Sequence, residues 1–499
     1  MKHIKKQVTN NIKLRSIVLL IVILFYSNTS VAQENFNDWL NNEKLQFKNF
    51  IEERDREFAE FLKKEWKEFT VLRGIIPDKI PKPFIMPVKE FKELDSGYGL
   101  KEHKIEDFKI KPPPEKESIG FVSKPKMEFH YGRLADVNYL NTSCSVMYDI
   151  VWEKIKFPES FDNKEISRFW TLISKTHYSY ILDQCNNIKK KMHLNDWAFF
   201  KFLEKFSLKI FPEENNSAKL LVWFLMQKSG YDVKVGFNQN KIFLLIPSSN
   251  ILYKKPYIKV DNRRYYTLTS LHSSGKDNNI YTYKGKYPEA VNMIDLNIYL
   301  CPAVNPEVIT KNLDFEYLHK NYSISLNINK SIVDFYSEYP LTEYIIYFNA
   351  PISNESNYSL LKNLKPLIVD KTEIEALNLI LHFVQKSFEY KSDYEQFGDE
   401  KPLFIEETLF YPGSDCEDRA VLFAYLIRNL LNLKIIGLDY PGHIATGVKV
   451  NTKIKGKYIN YSNENYIVCD PTYVNANVGQ CLPKYKDVAP EIIRLYNSR

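Results

Sequence analysis

The chain has 499 residues, with 68 basic and 61 acidic side chains and a formal net charge of +7. That length fits two or three domains, and 34 tyrosines and 32 phenylalanines give ample material for cores. Five of the basic residues (Lys2, Lys5, Lys6, Lys13 and Arg15) sit in the first 32 positions, leaving 63 basic against 61 acidic residues beyond them. A balance of +2 excludes nucleic-acid binding driven by bulk charge.

Those first 32 residues read as a signal peptide. A basic, acid-free start precedes the apolar run Ile17 to Phe25, and Ser30-Val31-Ala32 fits a small-residue cleavage site. Nine apolar residues are too few to span a bilayer, which takes roughly 20. The expectation is an exported protein, periplasmic or extracellular, with no membrane span after cleavage.

Residues 36–69 predict one long amphipathic helix. Phe36, Leu40, Phe47, Phe50, Phe58 and Phe61 lie near one stripe, with Trp66 and Phe69 extending it. Such a helix would reach about 50 Å at 1.5 Å per residue. It is either a partner-binding arm or a helix docked on its own body. Gly74 follows, then the proline-rich stretches PDKIPKPFIMPVK and KPPPEK, so residues 76–120 read as an extended linker.

Residues 121–300 predict a mixed middle domain with Trp152, Trp170, Trp197 and Trp223 in its core. Lys219 to Phe237 has the pattern of Ala420 to Leu438: an apolar helix, a short turn and a β-branched strand. The echo sets Asn215 opposite Cys416. It predicts a helix starting near Asn215 on an antiparallel sheet containing Tyr231–Phe237 and Lys241–Ile246, a degenerate copy with no nucleophile. Residues 301–364 read as a small β-rich unit with strands at Tyr322–Leu326 and Glu343–Phe348.

The C-terminal region, 365–499, carries the chemistry. Thr372 and Glu375 form a capping box before Ile374, Leu377, Leu381, Val384 and Phe388 at helical spacing. Gly413-Ser414-Asp415-Cys416-Glu417-Asp418-Arg419-Ala420 then opens a helix whose apolar positions are Ala420, Phe423, Ala424, Ile427, Leu430 and Leu431. Tyr440-Pro441-Gly442-His443 starts a strand, and Tyr466-Ile467-Val468-Cys469 ends one at Asp470, where Pro471 follows. A cysteine, a histidine and an aspartate thus succeed one another at intervals of 27 residues. They are a nucleophile, a base and an orienting carboxylate. A cysteine in the first helical turn gains from unpaired N–H groups and the helix dipole. Glu417 and Asp418 oppose its thiolate, so activation falls to His443.

These three motifs resemble the transglutaminase-like superfamily, the papain-related group with a rearranged α+β core, over roughly residues 365–485, and most closely its exported bacterial members. The resemblance implies an α+β fold in which Cys416 is the nucleophile, His443 the general base and acid, and Asp470 the orienter. It also implies a second oxyanion donor from the stretch before the cysteine, where Gln396 and Tyr390 are both candidates. The expected activity is a cysteine-dependent amide hydrolase or acyltransferase (protease, deamidase or crosslinking enzyme) acting on a peptide or protein. The alternative is an exported binding or assembly protein that retains the fold.

No Cys/His spacing suggests a metal site, and no cofactor is expected. The six cysteines are Cys144, Cys185, Cys301, Cys416, Cys469 and Cys481. Export permits disulfides, and Cys144 with Cys185 or Cys469 with Cys481 are candidate pairs.

Overall fold

The computed structural model describes residues 36–77, 104–113, 121–122, 132–155, 162–212, 215–238, 241–268 and 279–496. The leader and most of the proline-rich linker lie outside them. The fold is α+β, and two compact units can be distinguished. No helix among the described residues is long and apolar enough to cross a membrane.

The first unit pairs residues 36–64 with 163–176. Residues 36–64 are helical, and Phe58, Ala59 and Leu62 bury against the helix Asn163–Ser174. Phe58 meets Trp170 edge-on at 4.7 Å, and Ser167 Oγ donates to Ala59 O at 2.7 Å. Phe36, Trp39, Leu45, Phe47 and Phe50 stay exposed. The helix stops at residue 64 instead of running to 69. Trp66–Thr70 is a strand, because a sheet edge is available to it and pairing there outweighs the helix preference of a Lys/Glu-rich segment.

In the second unit, the middle region stacks the helices Tyr178–Lys191, Asp196–Ile210 and Asn215–Lys228 with a hairpin (Gly132–Tyr139 and Thr142–Asp149) and a six-stranded antiparallel sheet. The helix begins at Asn215, after Phe211 closes the one before it. Leu220, Trp223 and Phe224 are fully buried, as are Val235 on the neighbouring strand and Val233 just before it, so the pattern read from sequence finds this helix and sheet, although the first strand begins at Lys234 rather than Tyr231. The sheet's core side holds Phe243, Leu245, Ile258, Val260, Tyr265 and Ile280.

Five strands of that sheet, Lys234–Asn238, Lys241–Pro247, Tyr257–Val260, Arg263–Thr267 and Asn279–Tyr283, run in the spatial order third, fourth, second, first, fifth. Trp66–Thr70 adds an outer strand beside the fifth. The C-terminal sheet has strands Ile435–Tyr440, His443–Val448, Tyr458–Tyr461, Glu464–Cys469 and Glu491–Ile493. Their order is again third, fourth, second, first, fifth, and every pairing in both sheets is antiparallel. Each set follows a helix that packs on its second strand.

Between the two sheets, Val308–Tyr317 and Lys320–Asn329 form a hairpin that covers the helices Asn354–Ile368 and Glu373–Lys386. The second expected strand of this region is a helix, Tyr344–Asn349. A run as short and apolar as YIIYFN carries no period that separates a buried strand from a buried helix. It packs on the cysteine helix, and Tyr347 stacks near Phe404 at 4.5 Å. All six cysteines are free thiols, so neither candidate disulfide is present. Cys144, for instance, points its sulfur at Met192 Sδ, 3.5 Å away.

Candidate active site

The helix Cys416–Leu426 has Asp415 as its N-cap and continues into a wider turn over Ile427–Leu431. It is buried on all sides rather than on one face. Its approach is fixed by a two-residue parallel ladder, Glu389–Tyr390 with Gly413–Ser414. Gly413 has to be a glycine, since a Cβ there would lie 2.7 Å from Lys391 Cβ and 2.8 Å from Gln396 Oε1. Arg419, buried in the first turn, locks the helix to the C-terminal end of the helix Glu373–Lys386. Its guanidinium donates to Ser414 Oγ (3.1 Å), Gln385 O (3.1 Å) and Phe388 O (2.8 Å).

Cys416, His443 and Asp470 converge from a helix start, the start of the second strand and the end of the fourth. All three are at least 96 % buried. His443 Nε2 lies 2.8 Å from Asp470 Oδ2. The other carboxylate oxygen, Oδ1, accepts the N–H groups of Thr472 (3.0 Å) and Tyr473 (3.1 Å). Gln385 Nε2 donates to the carbonyls of Asp470 and Ala476, each at 3.0 Å, so the helix Glu373–Lys386 holds the aspartate's backbone in place. Tyr485 lies parallel to the imidazole at 5.3 Å and 3° and donates its hydroxyl to Pro441 O at 3.0 Å. With Nε2 engaged by Asp470, Nδ1 is the ring nitrogen left for proton transfer.

The backbone N–H of Ile444, the residue after His443, lies close enough to Cys416 to favour its thiolate. The thiol hydrogen goes to Glu417 Oε2 at 3.1 Å. Burial first, and then the Glu417 and Asp415 charges, push the thiol well above its ordinary range. The opposition of Glu417 foreseen from sequence is thus a direct hydrogen bond, and among the described residues the thiol's side-chain partner is Glu417 rather than His443.

The two oxyanion candidates separate. Gln396 is spent on structure, with Nε2 donating to Gly413 O (3.2 Å) and Oε1 accepting Gly413 N–H (3.0 Å). Tyr390 pairs with Ser414, stacks under Arg419 at 5.4 Å and is close enough to Cys416 for their charges to interact. Burial, and then Cys416, raise its hydroxyl far above the usual range, so it stays a neutral donor. Sequence reasoning missed Tyr485 and Gln385, which no motif marks. It also missed an acidic cluster in which Asp393, Glu400 and Glu417, and likewise Asp393, Asp415 and Asp418, stand close enough to hold a metal ion. The run Asp415-Cys416-Glu417-Asp418 was the signal for it.

In the middle sheet the corresponding place carries no such chemistry. Asn215, set opposite Cys416 by the sequence pattern, opens the helix, and beside it Asn216 Oδ1 accepts the N–H of Ile242 at 3.1 Å. Lys241 then stands where His443 does, and Leu268 follows the fourth strand where Asp470 does. Comparisons of the chain with protein-family models, curated proteins and solved structures give no match.

Proposed function

We propose that the chain is an exported, transglutaminase-like cysteine enzyme that cleaves or transfers amide bonds of peptides or proteins through a thioester on Cys416. The observation that carries this reading is the His443–Asp470 hydrogen bond on a sheet whose His443 strand packs against the cysteine helix. In the reaction, His443 Nδ1 takes the thiol proton as sulfur attacks the carbonyl carbon. The negative oxygen that forms is met by N–H groups of the first helical turn and by the Tyr390 hydroxyl. Collapse breaks the C–N bond, and the departing amine takes the proton back from the imidazolium. Water, activated by the same imidazole, then hydrolyses the thioester; an amine in its place gives transamidation.

On this reading the middle domain is a degenerate copy of the fold that places substrate or binds a partner, since Asn215, Lys241 and Leu268 supply neither nucleophile nor base. Intact-mass analysis after exposure to a panel of peptides and cell-wall fragments tests the proposal. An acyl adduct on Cys416 that disappears in Cys416→Ala supports it.

One observation favours the alternative of a binding protein that keeps the fold. The buried thiol donates to a carboxylate instead of to an imidazole. Iodoacetamide distinguishes the two. Alkylation of Cys416 with a midpoint near the ordinary cysteine value of about 8.5, unchanged by His443→Ala, would remove the main support for an enzyme.

A further inference from the structure

The helical segment 36–64 divides into a docked half and a bare one. Asp55, Phe58, Ala59 and Leu62 are buried, whereas residues 36–50 are exposed save for the half-buried Leu40. Five large apolar side chains, Phe36, Trp39, Leu45, Phe47 and Phe50, stand 46–67 % exposed there. Apolar residues scattered singly over a surface are ordinary, but a run of them along one helix marks a face that something covers. A helix also draws most of its stability from packing such a face, and this half packs on nothing described.

At 100° per residue, Phe36, Glu43, Phe47, Phe50, Arg54 and Phe61 fall within about 60° of one another, with Trp39 and Leu40 on the flanks. The buried Asp55, Phe58, Ala59 and Leu62 centre about 90° round the helix from that stripe. Docking and stripe therefore use different faces. Seating the first leaves the second open over residues 36–61, about 39 Å at 1.5 Å per residue. Phe61, half-buried, joins the two faces by stacking on Phe58 at 5.8 Å.

Two charges inside the stripe, Glu43 and Arg54, select its occupant. Arg54 lies over the Phe50 ring at 4.1 Å. In an apolar groove or a bilayer both charges would lose water and meet nothing of opposite sign. Helices that lie on membranes also carry an excess of Lys and Arg, whereas residues 36–50 balance Asp38 and Glu43 against Lys44 and Lys48. A second copy running antiparallel supplies the match. When Phe47 of one copy faces Phe50 of the other, Glu43 faces Arg54 and Phe36 faces Phe61. Of the apolar stripe, Leu40 alone then meets a charge, Glu57. Two-fold symmetry makes every such pair occur twice. Parallel pairing in register would set Glu43 on Glu43 and Arg54 on Arg54. Sliding the antiparallel pair by one heptad would set Phe47 on Glu43 or on Glu57.

We propose that the chain forms a two-fold dimer by antiparallel pairing of residues 36–61. Phe47 and Phe50 sit at the dyad, and the Glu43–Arg54 pairs fix the register, as a polar residue in an apolar seam does. The dimer stands apart from whatever chemistry Cys416 performs.

Sedimentation equilibrium of the purified full chain over about 1–200 μM tests it. We expect a monomer–dimer equilibrium with a dissociation constant of about 1–50 μM, since two helices of this length bury less than a standard interface. Phe47→Glu combined with Phe50→Glu should weaken it at least about 100-fold, with circular dichroism unchanged because both side chains are exposed in the single copy. Glu43→Arg alone and Arg54→Glu alone should each weaken it about 10-fold, and the two together should return it to within about threefold of native. Should the phenylalanine variant lose its native circular dichroism, the charge exchange alone decides. A monomer throughout the range, native dimerisation by the phenylalanine variant, or no recovery in the double charge variant would overturn the proposal. So would a monomer that floats with phosphatidylcholine–phosphatidylglycerol vesicles and ceases to do so in the phenylalanine variant, because the stripe would then seat on lipid.

Discussion

The sheet that follows Asn215 and the sheet that follows Cys416 share strand order and pairing, yet they treat buried charge in opposite ways. In the middle region, buried Asp232 is matched by Lys234 at 3.2 Å, by Arg263 at 2.7 Å and by the Tyr265 hydroxyl at 2.7 Å. In the C-terminal region, Asp393, Glu400, Asp415, Glu417 and Asp418 are buried with no ion pair among the described residues. Removing charges from water is costly, and pairing offsets much of that cost. One scaffold has therefore settled its charges for stability, and the other keeps them unsettled around a thiol. Such unsettled groups mark sites of function more often than sites of structure.

The largest expected difference between the two regions is at their helix starts. Cys416→Ala should lower turnover at least about 1,000-fold on any substrate that forms the adduct, while Asn216→Ala should leave it within about twofold. Rates measured on both purified variants check this, and a reversed ranking would place the chemistry in the wrong half. Next comes Asp470, the proposed orienting carboxylate. Asp470→Asn keeps the fold and the thiol but loosens the imidazole's orientation, for an expected loss of at least about 100-fold. Wild-type turnover there would mean that another group orients His443.

Tyr390→Phe should follow, with kcat reduced roughly 10- to 100-fold and KM little changed, as loss of one oxyanion donor does. Gln396→Ala should instead lower the melting temperature and leave kcat of the surviving protein near wild type, since its amide serves only Gly413. If steady-state kinetics show the opposite split, Gln396 is the donor.

The smallest effect concerns Glu406, buried among Ser353 and Ser356 and held by the Ser353 N–H at 3.0 Å. Burial lifts its carboxyl from 4.5 to about 7, against the pull of those hydrogen bonds. Between these values the folded state holds a proton that the unfolded state has released, so its contribution is present below about 4.5 and lost as pH rises through about 7. At most this amounts to about 3 kcal/mol. Glu406→Gln should flatten the fall in urea midpoint between pH 5 and pH 8, and an unchanged pH slope would show that Glu406 is not its source.

The elements around the catalytic candidates were legible because each is written locally. Thr372 and Glu375 form the capping box expected of them, the strand His443–Val448 begins at its histidine, and the strand Glu464–Cys469 stops before Asp470 and Pro471. What sequence hid was decided at long range. Trp66 looks helical until its ring finds Phe237 and Tyr283 at 5.1 and 5.4 Å. Residues 344–349 carry too short a pattern to reveal a helix against the cysteine helix. Asp393 and Glu400 join Asp415, Glu417 and Asp418 only through tertiary folding, and Tyr485 reaches His443 from the far side of the last hairpin.

The outer strand Trp66–Thr70 has a consequence in time. Its partner, Asn279–Tyr283, lies about 210 residues further along the chain. At roughly 5–20 residues per second, a ribosome finishes that partner about 10–40 s after the strand itself emerges. For that interval the segment has no ladder to join, while the hairpin Lys234–Asn238 with Lys241–Pro247 can close as soon as its own turn is made. The first strand written is thus the last that can be seated in its sheet, and a newborn chain must keep Trp66 and Phe69 from sticking elsewhere until then.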